Sequence, residues 1–431
     1  MEQRRNSNNI ELTLENKIYA NENLDFDNIS NNSNNSLNEE INNLIPNNNS
    51  ENIKVNDKIL NKPAQTRKYW VDLLRVFASY LVILIHYTGL CRARCGITTS
   101  SWNIAVLWDA LARICVPSFV AISGMFFLNP EKNISISKIY KKYIYRIWKA
   151  LLFWNIIYTV TDICIFNRSN VKIQWNYDFI MSLLHDIIVD GKYHLWYLNM
   201  CIGLYICTPF LRAITENKTA TTYYIILVIG VLSPIDFILS LIKDYFPDDK
   251  IFDYIIKEFV HNIMFFFSFK YISYYILGYY LSQVTIKSKI KLYAIYFIGV
   301  LSSCITYVIK LSLSYKYKKE SNSYTENNWS FNIAVMTIST FIFFKHTVND
   351  LLEKLFKRYK SSKTFLKTLS DLSFGCYLIH VLFIEIFKSI NFKPYLHHTY
   401  ITIPLFTTII WILCNICIYY IRKIKILRDF V

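Results

Sequence analysis

The sequence is poor in the residues that punctuate soluble enzymes of several domains, with only 9 Gly and 9 Pro in 431 residues. It is also short of acidic side chains, with 31 Asp and Glu against 47 Lys and Arg. The 10 Cys are scattered, several of them inside apolar runs, Cys414 and Cys417 included, and no CxxC or paired Cys/His spacing suggests a metal site. Cys91 and Cys95 share a short loop, where reduced thiols are favoured over a bridge because so short a link closes little loop entropy. No apolar run precedes Tyr69, so a cleavable signal peptide is not expected and the first helix acts as its own insertion signal.

What the chain has in abundance is apolar sequence: 53% of it is hydrophobic and 17% aromatic. Apolar runs of about 20 residues, long enough to cross a hydrocarbon core of about 30 Å, recur along it. The expected fold class is therefore all-α, a polytopic membrane helical bundle of about ten transmembrane helices. Spans are predicted at about 69–90, 103–128, 148–167, 194–214, 222–241, 262–283, 292–312, 331–346, 372–390 and 400–421.

The formal net charge of +16 could suggest nucleic acid, but that partner needs a basic face on a soluble domain. Most basic residues here fall in short connections such as "TIKSKIK" and "RKIKILR", as the positive-inside rule predicts, so the expected surroundings are membrane lipid and not nucleic acid. With a cytoplasmic N-terminus, an even number of spans puts both termini in the cytoplasm, and a multi-pass protein of the cell (plasma) membrane is expected. The test of this topology is "KYKKE" at 316–320, which it places on the opposite side. Residues 1–66, with runs such as "NNSNNSLNEEINN", hold too little apolar content to fold alone and read as a disordered Asn-rich cytoplasmic tail ahead of a membrane domain over 67–431.

The first predicted helix, "YWVDLLRVFASYLVILIHYTGL", keeps Asp72, Arg75 and His86 inside an apolar run. At about 100° and 1.5 Å per residue, Asp72, Arg75, Ser79 and His86 share one side, and Arg75 and His86 stand about 16 Å apart along the axis. A charge at the centre of a span costs about 3 kcal/mol by insertion scales, so such groups face a bundle interior or a water-filled cavity. Arg75 alone could snorkel or pair with Asp72, and His86 could hydrogen-bond a neighbouring helix; the aligned set favours a site. A guanidinium at one mouth suits phosphate oxygens, and a deeper imidazole suits general-base work on a hydroxyl. A long donor such as acyl-coenzyme A fits between them.

"DLLRVFASYLVILIHY" resembles the first-helix signature of the acyltransferase family 3 integral-membrane proteins, an Arg and a His separated by ten residues. "VPSFVAISGMFF" resembles the family's Phe-x-x-x-Ser-Gly segment through Phe119, Ser123 and Gly124. "YHLWYLNMCIGLYICTPFLR" resembles a stretch of the branch that acetylates surface polysaccharides, "YYILGYYLS" a later helix end, and "SFGCYLIHVLF" the penultimate helix with Ser373, Tyr377 and His380. The resemblance runs from Tyr69 to the C-terminus. It implies O-acylation, usually acetyl transfer from acetyl-coenzyme A as co-substrate and with no permanently bound cofactor, onto a hydroxyl of a glycan or glycolipid. It further implies His86 as catalytic base or acyl relay and Arg75 as a contact of the acyl-coenzyme A. The family's Arg-x-x-Arg is only half present: Arg146 matches the second Arg, Tyr143 occupies the first position, and Arg146 and Lys149 keep a basic pair for the donor.

Trp196 and Tyr197 fit an interfacial aromatic belt, while His194 beside them either joins that belt or lines the acceptor site. Ser373, Tyr377 and His380 form a second polar stripe, for which hydrogen bonding between helices is the favoured account. Asp72, Ser123, Tyr377 and His380 are thus expected as acceptor-side or supporting residues; Ser123–Gly124 also suits close helix packing. Asp236, Lys270, His397 and His398 are left out of the candidate site. A transporter using the Arg75/His86 stripe as a substrate or proton pathway is the competing reading, weakened by the lack of internal symmetry and the scarcity of Gly.

Overall fold

In a bilayer an apolar face gains little by leaving lipid, so helices associate through close van der Waals packing and hydrogen bonds between them. Both devices are present in the computed structural model, which describes residues 67–132, 134–164, 177–185, 187, 191–246, 270–320, 327–389 and 398–431. The expected tail and His397 lie outside the described residues. Lys68–Val431 form one compact unit.

The long helices, in chain order, are α1 (Tyr69–Arg94), α2 (Ser100–Ala112), α3 (Cys115–Phe127), α4 (Tyr145–Cys164), α5 (Tyr177–His185), α6 (Trp196–Glu216), α7 (Lys218–Ile225), α8 (Ser233–Tyr245), α9 (Lys270–Gln283), α10 (Lys289–Tyr317), α11 (Phe331–Phe343), α12 (Asn349–Arg358), α13 (Ser361–Ser389) and α14 (Thr399–Ile421). Wide π turns at Ile226–Leu232 and Phe344–Val348 join α7 to α8 and α11 to α12 into continuous rods. Among the described residues eight helical stretches are long and apolar enough to cross a membrane. The spans predicted at 148–167 and 262–283 correspond to α4 and α9, both helical, each running into residues outside the description.

Of the boundaries that differ from the predicted ones, such as the start of α13 at Ser361, two have a plain local cause. The second span breaks at Arg113–Ile114 into α2 and α3. Pro117 explains it, because its ring excludes the carbonyl of Arg113 four residues back. The helix predicted to stop at 346 continues to Arg358, because "NDLLEKLFKR" is amphipathic and buries Leu352 and Phe356.

α13, the α2–α3 stretch and α1 are the most enclosed members among the described spans, with 67%, 61% and 56% of their apolar windows buried, against 22% for α10. Ser370 Oγ on α13 donates to Asp72 of α1 at 2.8 Å, and Trp411 of α14 donates to Ser79 at 3.2 Å. Arg92 at the far end of α1 pairs with Glu320 just past α10, while Tyr69 at its near end meets the Phe356 ring at 4.9 Å. The "KYKKE" run thus lies on the face opposite the start of α1. Arg422, just past α14, donates to the Asp371 carbonyl at 2.9 Å, so both ends of the bundle share the near face.

Candidate active site

His86 sits nearly five turns along α1, on the side turned towards α6 and α13. Its ring centroid is 5.1 Å from His380 of α13 and 6.5 Å from His194, and the His194–His380 spacing is 5.2 Å. The three imidazoles, from distant parts of the sequence, form one cluster. Tyr193 adds an aromatic edge to His86 at 5.5 Å.

His194 reaches this place through a local device. Gly191 has φ +58°, in the left-handed region that Gly enters without penalty, and a Cβ there would lie 2.7 Å from the Asn155 Oδ1. The chain then tightens into a 3₁₀ turn over Tyr193–Leu195 and enters α6. His194 is only 1% exposed, so the belt reading does not hold for it; Trp196, at 39%, is exposed as a belt residue would be. The Tyr377 hydroxyl donates to the His194 carbonyl, and Tyr158 donates to the Leu378 carbonyl at 2.7 Å.

Beside the cluster lies a cavity of about 510 Å³, walled among others by His86, Asp109, Arg113, His194, Tyr197 and Tyr377. That volume admits a sugar-sized ligand. An imidazole on such a wall can take a proton from a bound hydroxyl.

Charged groups not weighed from the sequence complete the wall. Asp109 accepts from Arg113 through Nε at 2.9 Å and Nη2 at 2.6 Å, and from Arg92 at 3.2 Å. Arg92 also pairs with Glu320, which lies 3.6 Å from Lys310. The signal was available: Asp109 and Arg113 stand at i,i+4 inside an apolar run, a spacing that pairs charges on one helix face. Glu385, also on the wall, lies 3.6 Å from Lys388.

The remaining candidates do not join this cluster. Arg75 is at the near end, with its Nη1 3.5 Å from Asp72 and its guanidinium 5.1 Å from the Phe126 ring centre. The polar stripe of α1 faces the interior as expected, but α3 receives Arg75, α13 receives Asp72 and His86, and α14 receives Ser79. Ser123 donates to the Phe119 carbonyl of its own helix at 3.0 Å. Arg146 points at the Val431 carbonyl, 3.4 Å away, and Lys149 lies 4.0 Å from Asp429, so this pair faces the C-terminal segment. Cys91 and Cys95 are free thiols. Among the described residues no group of His, Cys, Asp or Glu is arranged to hold a metal.

No curated protein and no solved structure matches the chain. A family profile described as an acyltransferase domain matches residues 68–422, the whole bundle from the residue before α1 to the end of α14. This match over most of its length places the chain in acyltransferase family 3 and, with the apolar helices, makes it a membrane-embedded acyltransferase.

Proposed function

We propose that the protein transfers an acyl group, acetyl first among them, from acyl-coenzyme A to a hydroxyl of a glycan or glycolipid, with His86 as general base. The observation that carries this reading is His86 on the wall of a sugar-sized cavity, backed by two more imidazoles inside a membrane bundle. The acceptor hydroxyl gives its proton to His86 as its oxygen attacks the thioester carbonyl. The carbon–sulfur bond then breaks, and the thiolate takes the proton back from the imidazolium. Arg75, at the opposite end of α1, receives the phosphates of the donor, with Arg146 and Lys149 as further cationic contacts. Asp72 supports Arg75; Ser123 and Tyr377 support the passage and the cavity. His194, whose Nδ1 is buried and without a hydrogen-bond partner, takes a hydroxyl of the acceptor.

The cytoplasmic donor and a distant acceptor cavity fit a plasma-membrane protein with both termini in the cytoplasm. The family match favours transfer over transport. The test uses radiolabelled acetyl-coenzyme A with membranes holding the wild type or His86→Ala at equal abundance. Base-labile label in glycan or lipid from the wild type alone is expected; equal label from both would remove His86 from the chemistry. No label from the wild type, together with His86-dependent solute uptake, would restore the transport reading.

A further inference from the structure

A general-base imidazole must present a bare nitrogen to its substrate, so something must hold its proton on the other nitrogen. In hydroxyl-activating triads a buried carboxylate does this. Here the carboxylates on the cavity wall are engaged elsewhere. Both oxygens of Asp109 are taken by Arg92 and Arg113, and Glu385 faces Lys388.

His380 has the required properties. Its Nδ1 lies 2.6 Å from the carbonyl oxygen of Tyr377. A carbonyl can only accept, so Nδ1 carries the proton and Nε2 keeps its lone pair. That Nε2 is buried and has no hydrogen-bond partner. The His380 ring is 0% exposed and stands outside the cavity wall, whereas His86 is half-buried and lines it. The two rings are 5.1 Å apart at an interplanar angle of 37°. That is close to the spacing, about 5 Å, of two imidazoles joined by one N–H···N bond.

We infer that His380 is a positioning residue for His86. Its acceptor-only Nε2 receives the His86 N–H on the buried side, a bond that a small rotation of the His86 ring closes. The second nitrogen of His86 is then left bare towards the cavity. The tautomer is passed along a line: the Tyr377 carbonyl sets His380, and His380 sets His86. During transfer the acceptor proton moves to the bare nitrogen of His86 and then to the leaving thiolate, so His380 ends each cycle unchanged. This inference rests on His86 being the base and adds what makes it one.

The test uses the full chain in lipid nanodiscs with ring-¹⁵N-labelled histidine, the His86 signals being assigned by difference against His86→Ala. The wild type is expected to show His380 protonated at Nδ1 and His86 in a single tautomer. In His380→Met, which fills the space with only a weak sulfur acceptor, His86 becomes a mixture; in His380→Gln, whose amide oxygen can accept, one tautomer returns. Acetyl transfer should follow the same order. The Met variant loses about 10²-fold in kcat, the KM for acetyl-coenzyme A stays within about twofold, and the Gln variant regains at least about tenfold. A wild-type His380 protonated at Nε2, or a His86 tautomer indifferent to position 380, overturns the inference, the first even if the Met variant fails to fold. Tautomer coupling in a protein that transfers no acyl group would leave the positioning geometry standing and sink the transferase reading; transfer without coupling would sink the inference alone.

Discussion

Gly124 of α3 and Tyr275 of α9 touch backbone to backbone: a Cβ built on Gly124 would lie 1.8 Å from the Tyr275 carbonyl oxygen. The contact is reciprocal, because a Cβ on Gly278 would lie 1.8 Å from the Ala121 carbonyl. Two carbonyl-bearing backbones cannot yield as a flexible side chain does. Gly124→Ala and Gly278→Ala should each therefore destabilise by about 1–3 kcal/mol or more. Gly203→Ala, where nothing lies within 4 Å of the new Cβ, should be neutral or stabilising, because Gly inside a helix is the costlier residue. Thermal unfolding in detergent compares the three; equal melting points would mean that α3 and α9 do not cross this closely.

A buried carboxylate held by two guanidinium groups behaves differently from a surface pair. Asp109 is 3% exposed, between Arg92 and Arg113. Asp109→Asn leaves two half-buried cations without their shared anion, Arg92 keeping only Glu320, and the expected loss is about 3 kcal/mol. Replacing Asp109 and Arg113 together by Leu and Met should recover much of that loss. A double-mutant cycle on unfolding free energy measures it, and an undamaged Asp109→Asn would show the network to be solvated.

These two cases mark what could and could not be read from the sequence. Composition and run length sufficed for an all-helical bundle, and the stripe of α1 faces inward because period and cost of burial act locally. The Gly124–Gly278 crossing was not legible beyond the small residues themselves, since a scarce Gly in an apolar run does not say which helix approaches it. The same holds for the site. His380 shows in sequence only its neighbours Tyr377 and Ser373, which suit hydrogen bonding between helices. Its place against His86 depends on α13 packing on α1. The break at Arg113 was readable from Pro117, and the i,i+4 spacing of Asp109 and Arg113 was there to be weighed. The helix after residue 346 was obscured by its charges, which suggest a loop until Leu352 and Phe356 are placed on one face.

Lys132, in the connection after α3, lies 4.6 Å from the centre of the same Phe126 ring that Arg75 approaches. Arg212 holds that connection in place by donating to the carbonyls of Phe127, Pro130 and Lys132. Burial, and then the neighbouring Lys68 and Arg75, push the Lys132 ammonium below the usual lysine value of 10.5. The sign follows from linkage. With a lowered folded value the charged form is disfavoured on folding, so the cost is full below that value and fades as pH rises towards 10.5. Lys132→Met should therefore be no less stable than the wild type at pH 7, and the difference between the two should shift in favour of the wild type through the alkaline range. Melting points of both proteins between pH 7 and pH 10 check this; a gap independent of pH would show that Lys132 is fully solvated.

Under the proposed function, substitution of Arg75 separates donor binding from chemistry most cleanly. It stands about 16 Å along α1 from His86, too far to touch the reacting carbonyl. Its loss should raise the KM for acetyl-coenzyme A about tenfold or more, whereas loss of His86 should act on kcat. Arg75→Lys keeps the charge but not the planar fork, and should recover only part of the affinity. The decisive comparison uses acetyl-pantetheine, a thioester without the nucleotide phosphates. If Arg75 binds phosphate, the wild type loses affinity on going to the truncated donor and Arg75→Ala loses little more, because the two changes remove the same contact. If Arg75→Ala penalises both donors equally, Arg75 supports the helix through Asp72 and Phe126, and the phosphates are held by other cations at the near face.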